Sequence, residues 1–299
     1  MNTIQNLIKN ICDEEEIHFQ LVSKNWIMIL EKDGITKFVA GYKFGLNDHA
    51  LGLVCDDKYA IYDVLNAFHL PVCEYFIVFH NYDPKKIQEY ASKYQYHMVV
   101  KVNEGTCGND MYQVYSEEEM FQRIDELLIK SYSISICPFY EIKNEYRSII
   151  YHDSIELFYG KRRPVVVGDG VKTIYELLLE FNPHYFSKMI DHSDLDVVLE
   201  KGSAYSYGWQ HNLSKGAMPF YVEDSDIKTC VQELAMKVAK KLDLKFASVD
   251  IVELENGDIK VMEVNSGVMM DNFMKTMEGG EEVTKEIYRK VLLDLFKEK

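Results

Sequence analysis

Asp250-Ile-Val-Glu-Leu-Glu-Asn-Gly-Asp-Ile-Lys-Val-Met-Glu263-Val-Asn265 is the stretch on which the reading of this chain turns. Two β-like runs flank Asn256-Gly257, the strongest short-range hairpin signal a sequence carries. A two-residue loop there pairs Glu255 with Asp258, and paired residue numbers then sum to a constant. Asp250 falls directly opposite Glu263, and strand alternation puts Asn265 on the Glu263 face. Opposed Cβ atoms lie about 4.5–5.5 Å apart, so two carboxylates there repel unless a cation stands between them. Magnesium, which takes oxygen ligands at about 2.0–2.1 Å, is one such cation. A second reading makes both carboxylates the rim of a core, with Val252, Leu254, Ile259 and Val261 on the same face and a lysine neutralising one acid. The hairpin alone leaves both readings open. On its other face, Glu253 is expected across from Lys260 as an ordinary cross-strand ion pair.

Outward from the hairpin, Lys228–Leu242 reads as an amphipathic helix and Glu281–Lys297 as a terminal one, apolar at Ile287, Val291, Leu292 and Phe296. Thr173–Phe181 reads as a short helix after Gly168-Asp-Gly170. Further upstream, a helix over Asp57–Leu65 takes Asp56 or Asp57 as its cap. Strands are expected around Tyr75–Phe79 and His97–Val102. Ser116 with Glu119 three residues on marks another helix start. These signals fit a small α+β lobe over residues 56–135, followed by a longer, strand-rich region. Residues 1–55 combine a short amphipathic segment with strands such as Trp26–Leu30 and carry no chemical motif.

Composition bounds the function. A chain of 299 residues supports two or three lobes. Its 47% apolar and 27% charged content is that of a soluble globular protein. No apolar run is long enough for a membrane span, and Asp13-Glu-Glu-Glu16 near the start is unlike a signal peptide. The six cysteines (12, 55, 73, 107, 137, 230) show neither CxxC nor zinc spacing, which makes the cytoplasm the expected location. A formal charge of −15 argues against a nucleic-acid surface, yet a local cluster of Lys and Arg can still hold a nucleotide.

Three segments offer such clusters. Lys101-Val-Asn-Glu-Gly-Thr-Cys-Gly-Asn109 follows a β-like run, so its lysine can meet a phosphate while Gly105 and Gly108 let backbone N–H groups turn toward anionic oxygens. A plain surface loop explains the same residues. Glu145-Tyr-Arg147 and Tyr159-Gly-Lys161-Arg162-Arg163 are basic and flanked by apolar residues, either a solvated run or a strand holding alternate side chains inward. His211-Asn-Leu-Ser-Lys-Gly216 is a third polar segment. It lacks a nearby His or Cys, so neither a histidine metal site nor a catalytic dyad is expected there.

Taken in order, Asp57-Lys58, Val99-Val-Lys101 with Gly105 and Gly108, Asn144-Glu-Tyr-Arg147, Lys161–Gly170 with Thr173-Ile, His211–Gly216, Asp250 and Glu263-Val-Asn265 resemble the ATP-grasp superfamily of carboxylate–amine ligases. The nearest likeness is to the ATP-binding regions of cyanophycin synthetase and of ribosomal-protein glutamate ligase-like proteins. It spans residues 56–267, and no single motif decides it. The resemblance implies an α+β ATP-grasp fold with an abbreviated N-terminal lobe (1–55), a small lobe (56–135) and a large lobe (136–299). It implies that Lys58 and Lys101 contact ATP phosphates, and that Gly105, Thr106 and Gly108 close over them. Glu145 falls where the family often binds ribose, Glu141 is the nearest acid to the adenine position, and Lys161 lies near the nucleotide, where it is also a catalytic candidate. Asp250, Glu263 and Asn265 match the Mg²⁺ ligands.

The implied reaction joins a carboxylate, amino acid or peptide-like, to an amine through an acylphosphate, releasing ADP and phosphate. Arg147, Arg162 and Arg163, in that order, are candidates to bind the acyl carboxylate or the transferring oxygens. Ser248 stands where some relatives carry a catalytic arginine. With only 55 residues before the small lobe, acceptor recognition is either abbreviated or completed by a second subunit or another protein. Ser248 and the short N-terminus keep open an alternative, an ATP-binding regulatory or assembly module without ligation. No nucleic-acid or membrane partner is expected.

Overall fold

Asn2 sets the first helix: its side chain accepts the Gln5 N–H, and the Gln5 side chain caps Asn2 in return. The computed structural model describes residues 1–105, 108–187 and 195–297. Helix α1 (Thr3–Glu14) buries Ile4, Leu7, Ile8 and Ile11 along one stripe. A meander follows, β1 (His18–Val22), β2 (Ile27–Lys32) and β3 (Ile35–Ala40), antiparallel throughout. Met28, Leu30 and Val39 join α1 in a core completed far along the chain by Ile149, Phe246, Phe273 and Tyr288.

Helices α2 (His49–Asp56) and α3 (Lys58–Ala67) come next. Of the two aspartates weighed as the cap, Asp57 serves: its carboxylate accepts the Ala60 N–H. Strand β4 (Phe76–Phe79), helix α4 (Pro84–Ser92), strands β5 (Met98–Val102) and β6 (Met111–Val114), helix α5 (Glu117–Leu128) and strand β7 (Ser133–Pro138) build a four-stranded antiparallel sheet in the order β4-β7-β5-β6. Period-2 alternation divides its faces. Met98, Val100, Ile134 and Ile136 pack under α4 and α5, while Val99, Lys101 and Cys137 face the other way.

A larger sheet stands opposite. Strands β8 (Ile142–Tyr151) and β9 (Ser154–Arg162) open it. A ribbon of β10 (Val165–Val167) and β11 (Ala204–Ser206), with α6 (Ile174–Phe181) and α7 (Pro183–Phe186), forms a small outlying core. Strand β12 (Met218–Phe220), helix α8 (Asp226–Leu242), strands β13 (Phe246–Leu254) and β14 (Ile259–Asn265), and helices α9 (Asp271–Thr276) and α10 (Gly280–Asp294) complete the chain. The five strands run in the order β12-β9-β8-β13-β14. Val231, Leu234 and Val238 of α8 cover one face through Val249, Ile251, Val261 and Val264. Among the described residues no helix is long and apolar enough to cross a membrane.

The β13–β14 hairpin pairs Asp250 with Glu263, though by another route than a two-residue loop. Leu254 N–H donates to Asp258 O and Gly257 N–H to Leu254 O, both at 2.9 Å, with Gly257 at φ +87°. That is a three-residue loop over 255–257 with glycine in the left-handed position, which Asn-Gly suits as well. It shifts the pairing by one, so Val252 meets Lys260 and Glu253 meets Ile259. A bulge restores it: Ile251 pairs with Val261 and Asp250 with Glu263, leaving Met262 unpaired between them.

Two expectations fail as a result. Val261 turns to the α8 side with Ile251 instead of sharing the Glu263 face, and Ile259 packs against that same α8 core. Glu253 does not pair with Lys260; it accepts from Lys143 at 2.7 Å, Asn144 at 2.8 Å and Tyr146 at 2.9 Å.

Candidate active site

The inner faces of the two larger sheets enclose a cleft of about 470 Å³. Strand alternation supplies its floor. Odd-numbered residues of β8 and β9 and even-numbered residues of β13 point inward, which brings Glu145, Arg147, Lys161, Ser248 and Asp250 to one surface. Arg147 lies opposite Asp250 on one side, and Glu263 lies opposite it on the other. The bulge at Met262 turns both Met262 and Glu263 to the cleft, with Asn265 two residues on.

These charges are largely out of water: Asp250 is 2% exposed, Lys161 4% and Glu145 8%. Arg147 donates through Nε to Asp250 Oδ1 at 2.7 Å and through Nη2 to Oδ2 at 2.5 Å. Lys161 Nζ lies 3.1 Å from Asp250 Oδ2 and 2.5 Å from Glu145 Oε1. Burial raises the Asp250 carboxyl, but Arg147 and Lys161 outweigh it and hold the group down at about 2. Burial lifts Glu145, which Lys161 offsets only in part while Asp250 adds to the rise.

The roof comes from the smaller sheet and α3. Lys58 Nζ donates to Asn103 O at 3.1 Å and Gly105 O at 2.6 Å and stands 3.5 Å from Glu263 Oε1, joining the glycine loop to the floor. Burial lowers its ammonium pKa, with Glu263 opposing. Lys101 Nζ donates to Tyr75 Oη at 3.0 Å and sits 4.6 Å above the Tyr75 ring centre. Gly108, at φ +65°, is close to the Asn212 side chain, and Lys215 donates to Asn109 at 3.0 Å, so this loop reaches across the cleft. Thr106 lies outside the described residues.

Most of the residues that the resemblance singles out line this cleft, but three of them stand elsewhere. Arg162 is exposed, with its guanidinium 5.0 Å from the Phe220 ring centre; alternation sends it outward because Lys161 points in. Arg163 follows the strand and does not line the cleft. Glu141 is exposed and contributes its backbone oxygen to Glu255 N–H at 3.0 Å. No periodic signal pointed to the apolar slot of Val99, Cys137, Phe139 and Trp209, because its residues come from three separated segments. His211 also faces the cleft, 5% exposed, and burial with Arg163 and Lys161 nearby pushes its imidazole down to about 3.

This architecture has counterparts. Bifunctional glutathione synthetase from Pasteurella multocida superposes over 95% of this chain and 44% of its own, with a TM-score of 0.56 at 14% identity. D-alanine–D-alanine ligase from Bacillus anthracis, solved with ATP, superposes over 81% of this chain and 65% of its own, with a TM-score of 0.53 at 15% identity. The chain has the ATP-grasp fold. Within it, residues 202–291, from the loop before β11 through most of α10, match the RimK-like ATP-grasp domain family. Tetrahydromethanopterin:alpha-L-glutamate ligase from Methanocaldococcus jannaschii is 30% identical over 117 residues, 35% of this chain and 39% of that protein. The chain therefore spans well under half of that relative.

An ATP-grasp cleft asks for a phosphate-side cation site and a slot for a flat base. Among the described residues no three His, Cys, Asp or Glu gather as a metal cluster. Asp250, Glu263 and Asn265, two carboxylates and an amide, line one surface, and the third carboxylate of the cleft, Glu145, is held by Lys161. Such hard oxygen donors, few enough to leave positions for phosphate oxygens, suit magnesium. Glu263 opens to the cleft, with its side chain 30% exposed, while Asp250 is engaged by Arg147. The uncharged slot of Val99, Cys137, Phe139 and Trp209 suits a nucleobase.

Proposed function

We propose that the protein is an ATP- and Mg²⁺-dependent ligase joining a carboxylate to an amine, acting in the cytoplasm. The observation that carries this reading is the Arg147–Asp250–Glu263 row across three adjacent strands, facing Lys58 at the start of α3 and Lys101 on the opposing sheet. In such a reaction the carboxylate takes the γ-phosphoryl group of ATP and ADP leaves; the amine then attacks the acyl carbon of the acylphosphate and phosphate leaves, while bound Mg²⁺ would offset the charge of the transferring group.

In this reading Lys58 and Lys101 bind phosphate oxygens with Gly105 and Gly108 beside them, and Thr106 stays a phosphate-binding candidate on the resemblance alone. Asp250, Glu263 and Asn265 hold the metal, Glu145 accepts from the ribose, and Lys161 neutralises the two acids beside it. Arg147 is the group in the cleft able to take an acyl carboxylate through two parallel N–H donors. Arg163 stays a lesser candidate because its charge acts on His211 in the cleft wall, and Arg162 and Glu141 are left out because their side chains are exposed outside the cleft. The division into residues 1–55, 56–135 and 136–299 belongs to the same proposal. Glutamate, named in the archaeal relative, is the first amine to test.

The experiment is ADP release from ATP and Mg²⁺ with a panel of amino acids and short peptides. Turnover that rises only when both a carboxylate and an amine are present supports ligation. ATP binding with no acceptor raising turnover leaves the second reading, a nucleotide-binding module. That second reading draws on Ser248, a buried hydroxyl in the cleft two residues before Asp250. Absence of ATP binding defeats both.

A further inference from the structure

One end of the cleft lies away from the slot proposed for the nucleobase. Strand β13 runs from Leu254, beside Ile142, to Ser248, beside Asn265; at about 3.3 Å per residue these ends are about 20 Å apart. The slot of Phe139 and Trp209 lies at the Leu254 end, with Val252 and Leu254 in its wall. Beyond Asn265 the cleft is closed by the N-terminal meander through Trp26, Gly41 and Tyr42.

Trp26 is 63% exposed, yet it is held in place. Gly41 sits so close beneath the indole that a Cβ there would lie 2.5 Å from Cη2 and 2.7 Å from Cζ2. The turn that delivers Trp26 carries Ser23, Lys24 and Asn25 at φ 52°, 54° and 68°, a region that non-glycine residues rarely enter in succession. Gln5 Nε2 pins this turn by donating to Asn25 O at 2.7 Å.

The seat is also tied to the carboxylate-bearing strand. Gly267, two residues past Asn265, approaches Gly41 so closely that a Cβ would stand 2.8 Å from Gly41 O. Tyr42, itself at φ 64°, accepts from Asn2 Nδ2 at 2.6 Å. Local strain kept around a solvent-facing aromatic points to a role outside folding. The other lining residues at this end, Met269, Asn272 and Phe273, carry no charge, in contrast to the ionic centre of the cleft.

We propose that Trp26 and Tyr42 form a binding wall for an aromatic ring on the acyl or amine substrate, whose reacting group points toward Asp250. Only the ring's identity as part of a substrate rests on the ligase reading; the wall itself does not. A neutral, flat ring gains dispersion and offset stacking against an indole that its saturated counterpart cannot match.

The test is calorimetric titration of the full chain, saturated with ADP and Mg²⁺, with 2-naphthoate and with decahydro-2-naphthoate, which share a carboxylate but differ in planarity. Wild type is expected to bind the naphthoate about four- to tenfold tighter, and Trp26→Leu to bring the two within about twofold of each other, with ADP still binding. Equal binding, no binding of either acid, or a preference that survives Trp26→Leu overturns the proposal. Failure of ADP to bind wild type instead defeats the nucleotide reading of the other end.

Discussion

Arg147 grips Asp250 by both carboxylate oxygens, Nε to Oδ1 at 2.7 Å and Nη2 to Oδ2 at 2.5 Å. The cation that resolves the repulsion between Asp250 and Glu263 is therefore, in the first instance, a guanidinium from the neighbouring strand. A divalent ion that uses Asp250 has to displace it or share the carboxylate with it.

Arg147→Met should bind Mn²⁺ in the absence of nucleotide about tenfold or more tighter than wild type, read by electron paramagnetic resonance, because a positive competitor is gone. The same change should lower stability by about 3 kcal/mol, since one partner of a buried pair is removed. Unchanged or weaker Mn²⁺ binding rules out competition at Asp250.

Asp250 also links stability to acid. Its folded-state pKa, about 2, lies below the ordinary 3.8, so its contribution is present above pH 3.8 and lost as pH falls through 2. The loss is about 2 kcal/mol. Glu145 moves the other way, so its ionisation lowers stability as pH rises through its raised pKa. Carboxyl ¹³C resonances followed against pH should place Asp250 below the other aspartates and move it upward in Arg147→Met. An Asp250 titration unaffected by Arg147→Met contradicts the pairing.

Glu263→Ala should reduce Mg²⁺-supported ADP release by about 100-fold while changing the urea midpoint by the equivalent of less than about 1 kcal/mol, its Lys58 contact being partly exposed and 3.5 Å long. A large stability loss with turnover retained would make it a structural carboxylate.

Lys58→Met removes the donor to Asn103 O and Gly105 O. Hydrogen exchange over residues 103–105 should quicken and ATP affinity fall by about tenfold or more. Exchange that stays at the wild-type rate means the loop does not depend on this tether.

Gly257→Ala tests the hairpin loop. Nothing lies within 4 Å of the added Cβ, so only the backbone at φ +87° resists, at a cost of about 1–2 kcal/mol in urea unfolding. No cost at all would mean that the loop is not held in the left-handed conformation.

Much of the site was legible because its signals are local. A helix cap at Asp56 or Asp57 and Lys101 at a strand end each depend on a few neighbouring residues, whereas an inward Lys161 was one of two readings of its basic run. The opposition of Asp250 and Glu263 was legible too, although the loop is one residue longer than a two-residue turn and the bulge at Met262 cancels that shift. Arg162 was misplaced because a basic run does not declare which of its members faces inward until the strand's neighbours are known.

By itself, then, the sequence determined the hairpin that opposes two carboxylates, the helices around it and the helix and strand that carry Lys58 and Lys101, since turn chemistry and side-chain period act over a few bonds. Only the tertiary structure decided what stands between and around those acids. Arg147 reaches Asp250 because β8 lies beside β13, a pairing between residues about a hundred positions apart. Trp26 meets the far end of the cleft because Gly41 and Gly267 allow two backbones to touch. Neither contact has a periodic or local signature, because strand order and backbone approach are settled by packing the whole chain.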